Sequence, residues 1–529
     1  MPLMSSVGSR IFRGAAIVSA FTLSGKLLGF VQKQILAYCF GTGIDADAYV
    51  LALQSIGLAF AAIPQKAIAP FLPLFVEKLE RNGESAAWTF ARSVGILFAG
   101  TLAVMFLAGM VGASGLVRLV TVFEDQSAVP LTLSLVRIIL PASFLIGLAA
   151  FAFLILNSYK RFAIPAGGDA LNRALVIVVM LLLYRQLGIK AAAIGVGVGA
   201  LACLLLQIGA LWPKLRRLPS AVDFRDPSIK RLAWLIPPVL IGAGLAQIRT
   251  ILDFRFASAM GHGFMSSLSY AKVVPDTLTL LVPYAVGVSI YPFFSDLAAK
   301  GDREGLTDTL MGAMRLIAFI FIPLSVALIL LRFPILRLAF ERGKFSADSV
   351  ALTAGPFAYY ALGLTSFAWE IILMQFYFSL KDTRTPVVAG ILALCVHVTV
   401  ILCFRAVLLH KSITLAASVS KTAKVLIMCL LLRRKIADLR MRQNVVFLLK
   451  TGIAAGLMAI GILFAQHLGT PARFSGDGIL ARLLSAAWSI GAAALLGGAA
   501  YVAASLLLRI EECRTLLRGL QRKPGGSHA

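Results

Sequence analysis

The chain has 529 residues, of which 59% are hydrophobic and only 14% charged, yet its formal net charge is +26, from 50 Lys and Arg against 24 Asp and Glu. Soluble domains hold about 45–50% apolar and about 25% charged residues, so a string of soluble domains is excluded. A nucleic-acid binder crowds its cations on an exposed face, which so apolar a chain does not offer. The composition predicts an all-α polytopic membrane protein whose cations sit at helix ends or inside a cavity.

A bilayer-spanning helix needs about 20 mostly apolar residues. In chain order, fourteen stretches qualify: about 14–40, 46–76, 87–113, 131–158, 163–185, 190–212, 231–258, 267–298, 309–332, 348–379, 386–409, 412–432, 444–467 and 481–508. The first runs through Lys26 and Lys33 for longer than the short apolar core of a cleaved signal, so it is expected to stay as helix 1. Lys and Arg alternate in density along the connections. Arg10 and Arg13, Lys78 and Arg81, Lys160 and Arg161, the 213–231 connection, Lys300 and Arg303, Lys381 and Arg384, 433–442 and the tail after Arg509 fall on one side. That side collects about 26 cations against about 10 on the other, which predicts that it is cytoplasmic with both termini inside.

The two halves repeat. Pro73 and Pro292 occupy matching Pro-Phe-rich segments followed by charged turns, and Arg118 and Arg337 follow the same pattern at the same separation of 219 residues. The polar exits ending in Pro165 and Pro386 match at 221 residues. Six helices fit that displacement. The reading is therefore two parallel six-helix lobes plus two C-terminal helices, an architecture that transporters use with the substrate site between lobes. The expected boundaries are 1–212 for the N-lobe, 213–230 for a cytoplasmic linker, 231–434 for the C-lobe, 435–509 for helices 13 and 14, and 510–529 for a cytoplasmic tail.

Several chemistries lack their motifs. There is no G-x-x-x-x-G-K-[ST] phosphate loop, no H-E-x-x-H and no paired Cys spacing; the six cysteines are scattered and read as inert thiols. Gly195, Gly197 and Gly199 lie in an apolar helix without strand–turn context and read as a helix-packing face. No enzyme activity and no cofactor is expected. Energy is expected from the membrane potential or from a Na⁺ or H⁺ gradient.

Ionisable groups at membrane depth are costly and usually face a cavity. Lys26 and Lys33 share one face of helix 1, two turns apart. Helix 2 opens with Asp45 and Asp47 and carries Lys66, helix 7 carries Arg249, Asp253 and Arg255, helix 8 carries Lys272 and Asp276, and helix 10 carries Glu370. Lys26, Lys33, Lys66, Arg249, Arg255 and Lys272 outnumber the acids, which points to an anionic ligand with a phosphate or diphosphate head group. Lys66 and Lys272 could instead snorkel to an interface. Asp253 could pair with Arg249 at i,i+4 or bind a coupling cation.

Some segments resemble a known family: Gly25-Lys26-Leu27-Leu28-Gly29-Phe30, Phe40-Gly41-Thr42-Gly43 through Asp47-Ala48-Tyr49, Phe340-Glu341-Arg342-Gly343-Lys344-Phe345, Tyr360 through Gly363, and Phe376-Tyr377 through Asp382-Thr383-Arg384-Thr385-Pro386. Over about residues 10–510 the chain resembles the MurJ/MviN family of lipid II flippases, a fourteen-helix branch of the multidrug/oligosaccharidyl-lipid/polysaccharide exporter superfamily. The resemblance implies transport of an undecaprenyl-diphosphate-linked peptidoglycan precursor from inner to outer leaflet of the bacterial plasma membrane, by alternating access. Its implied partners are that lipid-linked glycan, membrane lipids and proteins of cell-wall synthesis. The family lines its cavity with arginines, and this chain departs from that pattern. Lys26 replaces an Arg, Gln32-Lys33 stand where Arg-Asp is common, Phe60-Ala61 fall near an Arg-Arg pair, and Ala271-Lys272-Val273 replace Ala-Asp-Arg. Export of another lipid-linked oligosaccharide, such as an exopolysaccharide or O-antigen unit, is the alternative. A cation-coupled drug antiporter fits less well, because it predicts twelve helices and an acid-dominated cavity.

Overall fold

A computed structural model describes residues 23–122, 128–217, 221–432, 440–468 and 478–521. Almost all of these are helical, with no β-strand among the described residues. Nine helices are each long and apolar enough to cross a bilayer, and the pair Ala347–Leu362 and Leu364–Ser379, bent by 43° at Gly363, makes ten among the described residues. They match ten of the fourteen predicted stretches. The other four (14–40, 46–76, 231–258 and 267–298) each include positions outside the described residues or side chains that are not described. Their described backbone is helical over 23–40, from Ile44–Leu51 to Phe71–Arg81 with breaks, over Pro227–Ser258, and over Phe264–Ala271 followed by Val273–Lys300.

The chain divides into two compact units, Met1–Ser266 and Ser267–Ala529. In the first, a short chain segment after Phe40 leads into Ile44–Leu51, a π-helical turn Ala52–Gly57 and Leu58–Ala67. The aromatic core forms where Phe71–Arg81 meets the start of Gly83–Val111. Phe71 stacks on Phe90 at 5.5 Å and Trp88 Nε1 donates to the Tyr159 hydroxyl at 2.8 Å. That hydroxyl donates in turn to Glu84 (2.7 Å), which also holds Lys214. Ala163–Leu187 and Lys190–Arg217 form a hairpin. A Cβ on Gly195 would lie 3.1 Å from the Val176 backbone, and one on Gly199 2.6 Å from the Asn172 carbonyl, so these glycines let the two backbones approach. Helix Pro227–Ser258 packs within this unit against Leu58–Ala67. Its first turn is capped by Asp226, which accepts from the Ser228 amide at 2.9 Å and pairs with Lys78 at 2.5 Å. Burial opposes the charge on Asp226, but those partners outweigh it and hold the carboxyl below its ordinary pKa.

In the second unit, Val273–Lys300 packs on Leu364–Ser379, and Arg303–Leu330 packs on both Leu364–Ser379 and Met441–His467. Met441–His467 and Ile479–Leu507 form a second hairpin. Tyr501 fastens it by donating to the Phe319 carbonyl at 2.6 Å.

The repeat read from the sequence has a backbone counterpart. Each unit has a long helix followed by a short one bearing the matching arginine: Gly83–Val111 then Ala113–Val120, and Arg303–Leu330 then Arg332–Phe340. Lys160 and Lys381 each adopt the left-handed conformation at φ 57° just past a helix end. In both places the next amide bonds five residues back, Arg161 to Leu156 and Asp382 to Tyr377, each at 3.0 Å. This terminal geometry normally favours glycine; a lysine at both equivalent positions is a repeat of conformation as well as of sequence.

His410, in the connection between Arg384–Leu408 and Lys411–Leu432, is buried with Nε2 3.1 Å from the Leu352 carbonyl. Burial pushes its imidazole down to about 4, helped by Lys411 and opposed by the Leu352 contact. The unfolded chain takes up this proton near pH 6.5, so the neutral ring's contribution is whole above that pH and is lost as pH falls toward 4. The expected loss over that window is about 3 kcal/mol. Unfolding of purified protein followed at several pH values checks it. His410→Gln should flatten the profile between pH 6.5 and 4.

Candidate functional site

The eight residues singled out from the sequence take different positions. Lys26 is exposed on helix 23–40 and Lys33 is half-buried on it. The neighbouring Gly25 and Gly29 lie against the i,i+4 ion pair Asp169–Arg173 (3.2 Å) of Ala163–Leu187. A Cβ on Gly25 would come within 2.8 Å of the Asp169 carboxylate, and one on Gly29 within 2.7 Å of the Arg173 guanidinium. The two glycines, one helical turn apart, thus seat helix 1 on a charged pair beside Lys26. Reading the sequence for charge missed Asp169 and Arg173. The signal was available, as an acid and a base four residues apart near the start of an apolar run.

Asp47 is fully buried. Its two oxygens accept the backbone amides of Gly263 (2.6 Å) and Ser266 (2.7 Å), satisfying donors at the start of Phe264–Ala271 that the helix leaves open. Arg255 likewise donates to the Leu119 carbonyl at the end of Ala113–Val120. Both side chains are therefore engaged in holding backbone. Arg249 and Asp253 form a loose pair at 3.9 Å with both side chains about a quarter exposed, 29% and 24%. Lys66 is exposed in the last turn of its helix. These seven residues belong to the first unit. Lys272 belongs to the second, half-buried at the break that opens Val273–Lys300.

The second unit holds a charge cluster of its own. Glu370, on Leu364–Ser379, pairs with Lys421 and, at 2.6 Å, with Lys424, both on Lys411–Leu432. All three side chains are largely buried, at 13%, 21% and 14% exposure. Sequence reading found Glu370 but not its lysines, which lie 51 and 54 residues further on. Among the described residues no group of three or more His, Cys, Asp or Glu could hold a metal ion.

Long apolar helices and two helical sets with repeated landmarks define a multi-pass membrane protein. The fold agrees. It matches a solved lipid II flippase MurJ in an inward closed conformation with TM-score 0.77 at 21% identity, covering 93% of this chain and 99% of that one. It also matches an inward-facing multidrug resistance MATE family transporter of the MOP superfamily with TM-score 0.67 at 14% identity, covering 81% of this chain and 99% of that one. The family model described as lipid II flippase MurJ matches residues 36–480. Among curated relatives, the lipid II flippase MurJ of Burkholderia cenocepacia is 27% identical over 435 residues, 80% of this chain and 84% of that protein. The probable lipid II flippase MurJ of Rhizobium meliloti is 30% identical over 404 residues, 73% of this chain and 74% of that protein. The chain belongs to the lipid II flippase MurJ family, a family of transporters.

Proposed function

We propose that this chain translocates lipid II from the inner to the outer leaflet of the bacterial plasma membrane, with both termini in the cytoplasm. The observation that carries the reading is the family match across 36–480, which encloses the cations that the sequence sets in the apolar stretches of helices 2, 7 and 8; helix 1 adds Lys26 and Lys33 just before it. A diphosphate needs several charge-assisted donors. Lys26, Lys33, Lys66 and Arg249 are the candidates in the first unit, and Lys272 is the candidate in the second. Asp47 and Arg255 serve the same unit by fixing its backbone. Alternating access around a fixed site spares the head group a passage through hydrocarbon, while the polyprenyl tail stays in lipid. The step is driven by the membrane potential, worth about 2.3 kcal/mol per charge per 100 mV, or by Na⁺ or H⁺, with Asp253 beside Arg249 as the coupling acid.

Complementation is the test. Cells depleted of their own lipid II flippase should regain growth and expose lipid II on the outer leaflet when they express this chain. No rescue, together with loss of a surface polysaccharide on deletion in the native host, would move the cargo to another lipid-linked glycan.

A further inference from the structure

The cations proposed for transport lie on helices 1, 2, 7 and 8. A separate group lies at the end of the second unit. A cavity of about 560 Å³ is lined by Arg315, Arg442, Lys450 and Arg509 and by Glu511 and Glu512. Four cations against two acids leave it net positive. Arg442, Lys450 and Arg509 have no ion-pair partner among the described residues, so their charge is available to a ligand.

A second cavity, of about 230 Å³, adjoins it, and Arg315 and Phe447 line both. The rest of its wall is almost wholly apolar, including Met314, Trp369, Val425, Leu430 and Leu448. An apolar cavity of ~150 Å³ already admits benzene, so this one holds several methylenes of an acyl chain. Arg315 is fixed at the junction. It donates to Asn444 Oδ1 at 2.6 Å, and its guanidinium lies 5.9 Å from the centre of the Phe447 ring.

The backbone at Arg509 repeats the helix-end geometry of Lys160 and Lys381. Helix Ile479–Leu507 ends with the Ile510 amide bonding Ser505 (2.9 Å) and the Arg509 amide bonding Leu506 (3.2 Å). That motif puts its penultimate residue in the left-handed region, where glycine fits best, and Arg509 takes it at φ 53°. The charge asymmetry of the sequence assigns 433–442 and the tail after Arg509 to the cytoplasmic face, and basic pockets between helices on that face suit anionic lipid head groups.

We propose that these joined cavities bind an anionic phospholipid of the bilayer, its phosphate among Arg315, Arg442, Lys450 and Arg509 and one acyl chain in the Met314–Trp369–Leu448 cavity. The site shares no residue with the transport cations and needs no turnover to be seen. The full chain is purified into phosphatidylcholine nanodiscs, and phosphatidylglycerol binding is followed by native mass spectrometry and by the shift in thermal midpoint. Phosphatidylglycerol should bind selectively and raise the midpoint, while millimolar inorganic phosphate or glycerol phosphate should neither displace it nor reproduce the shift. Binding should fall at least tenfold in Arg509→Gly and in Arg315→Gln with Lys450→Gln. Arg509→Gly guards against misfolding, because glycine suits the left-handed position and this variant should melt no lower than the parent without the lipid. Equal phosphatidylglycerol binding by parent and Arg509→Gly would overturn the proposal, as would full displacement by inorganic phosphate. So would preferential occupancy by a polyprenyl diphosphate.

Discussion

Cells that depend on this chain for lipid II transport lose growth when Lys26 and Arg249 are both replaced by alanine, at unchanged protein level. Each lysine or arginine on a diphosphate supplies charge-assisted hydrogen bonds worth about 1.5–3 kcal/mol. Losing two weakens head-group binding by about 100-fold or more. Neither residue is fixed in the backbone scaffold as Asp47 is. Lys26 is exposed, and Arg249 is only loosely paired with Asp253 at 3.9 Å. The double variant should therefore fold normally, and its melting profile should overlay that of the parent. Growth rescue by the double variant at equal expression would remove these two residues from the site. Lys26→Arg should retain activity, because it keeps the positive charge at that position. If Asp253 is the coupling acid, Asp253→Asn should stop transport while leaving lipid II binding in place.

Glu370→Ala should be the most destabilising single change in the second unit. It leaves Lys421 and Lys424, three residues apart on one helical face, with their shared counter-ion gone and little water to replace it. Breaking a buried ion pair by removing one partner costs about 3–5 kcal/mol, largely from the orphaned charge. Replacing the whole cluster is a different matter. Glu370→Leu combined with Lys421→Met and Lys424→Met removes the charges together, and should restore stability to within about 1–2 kcal/mol of the parent. Denaturant or thermal unfolding of the purified protein reads both. A Glu370→Ala protein as stable as the parent would mean that the lysines find other partners. The same triple variant separates roles: if it is stable but fails to support growth, the cluster serves transport as well as folding.

The two expectations differ in how far they could be read from residue order. Lys26 and Arg249 stand out because a cation in an apolar run is visible without knowing what it touches. Glu370 was visible in the same way, yet its partners were not, because helices Leu364–Ser379 and Lys411–Leu432 must pack before the three charges meet. Asp169 and Arg173 show a third case. Their mutual pairing is local and could be read from spacing, but their seat beneath Gly25 and Gly29 is a contact between helices far apart in the chain. Asp47 is the clearest case of a residue whose setting could not be read. Its charge near the start of a helix looks available to a ligand, and only the fold shows both oxygens holding amides 216 and 219 residues away.

The +26 charge on so apolar a chain is governed by the bilayer's own rules. Hydrocarbon thickness sets the length of each apolar run and the cytoplasmic face collects Lys and Arg, so helical class, repeat and expected orientation follow from residue order. Pairing does not follow from it. Which cation meets a carboxylate, which caps a helix, as Arg255 does on Leu119, and which remains open to a ligand, as Arg442, Lys450 and Arg509 do, depends on helix packing. A charge at membrane depth is stabilised by whatever lies within a few ångströms, and in this protein that neighbour is often more than 50 residues away along the chain.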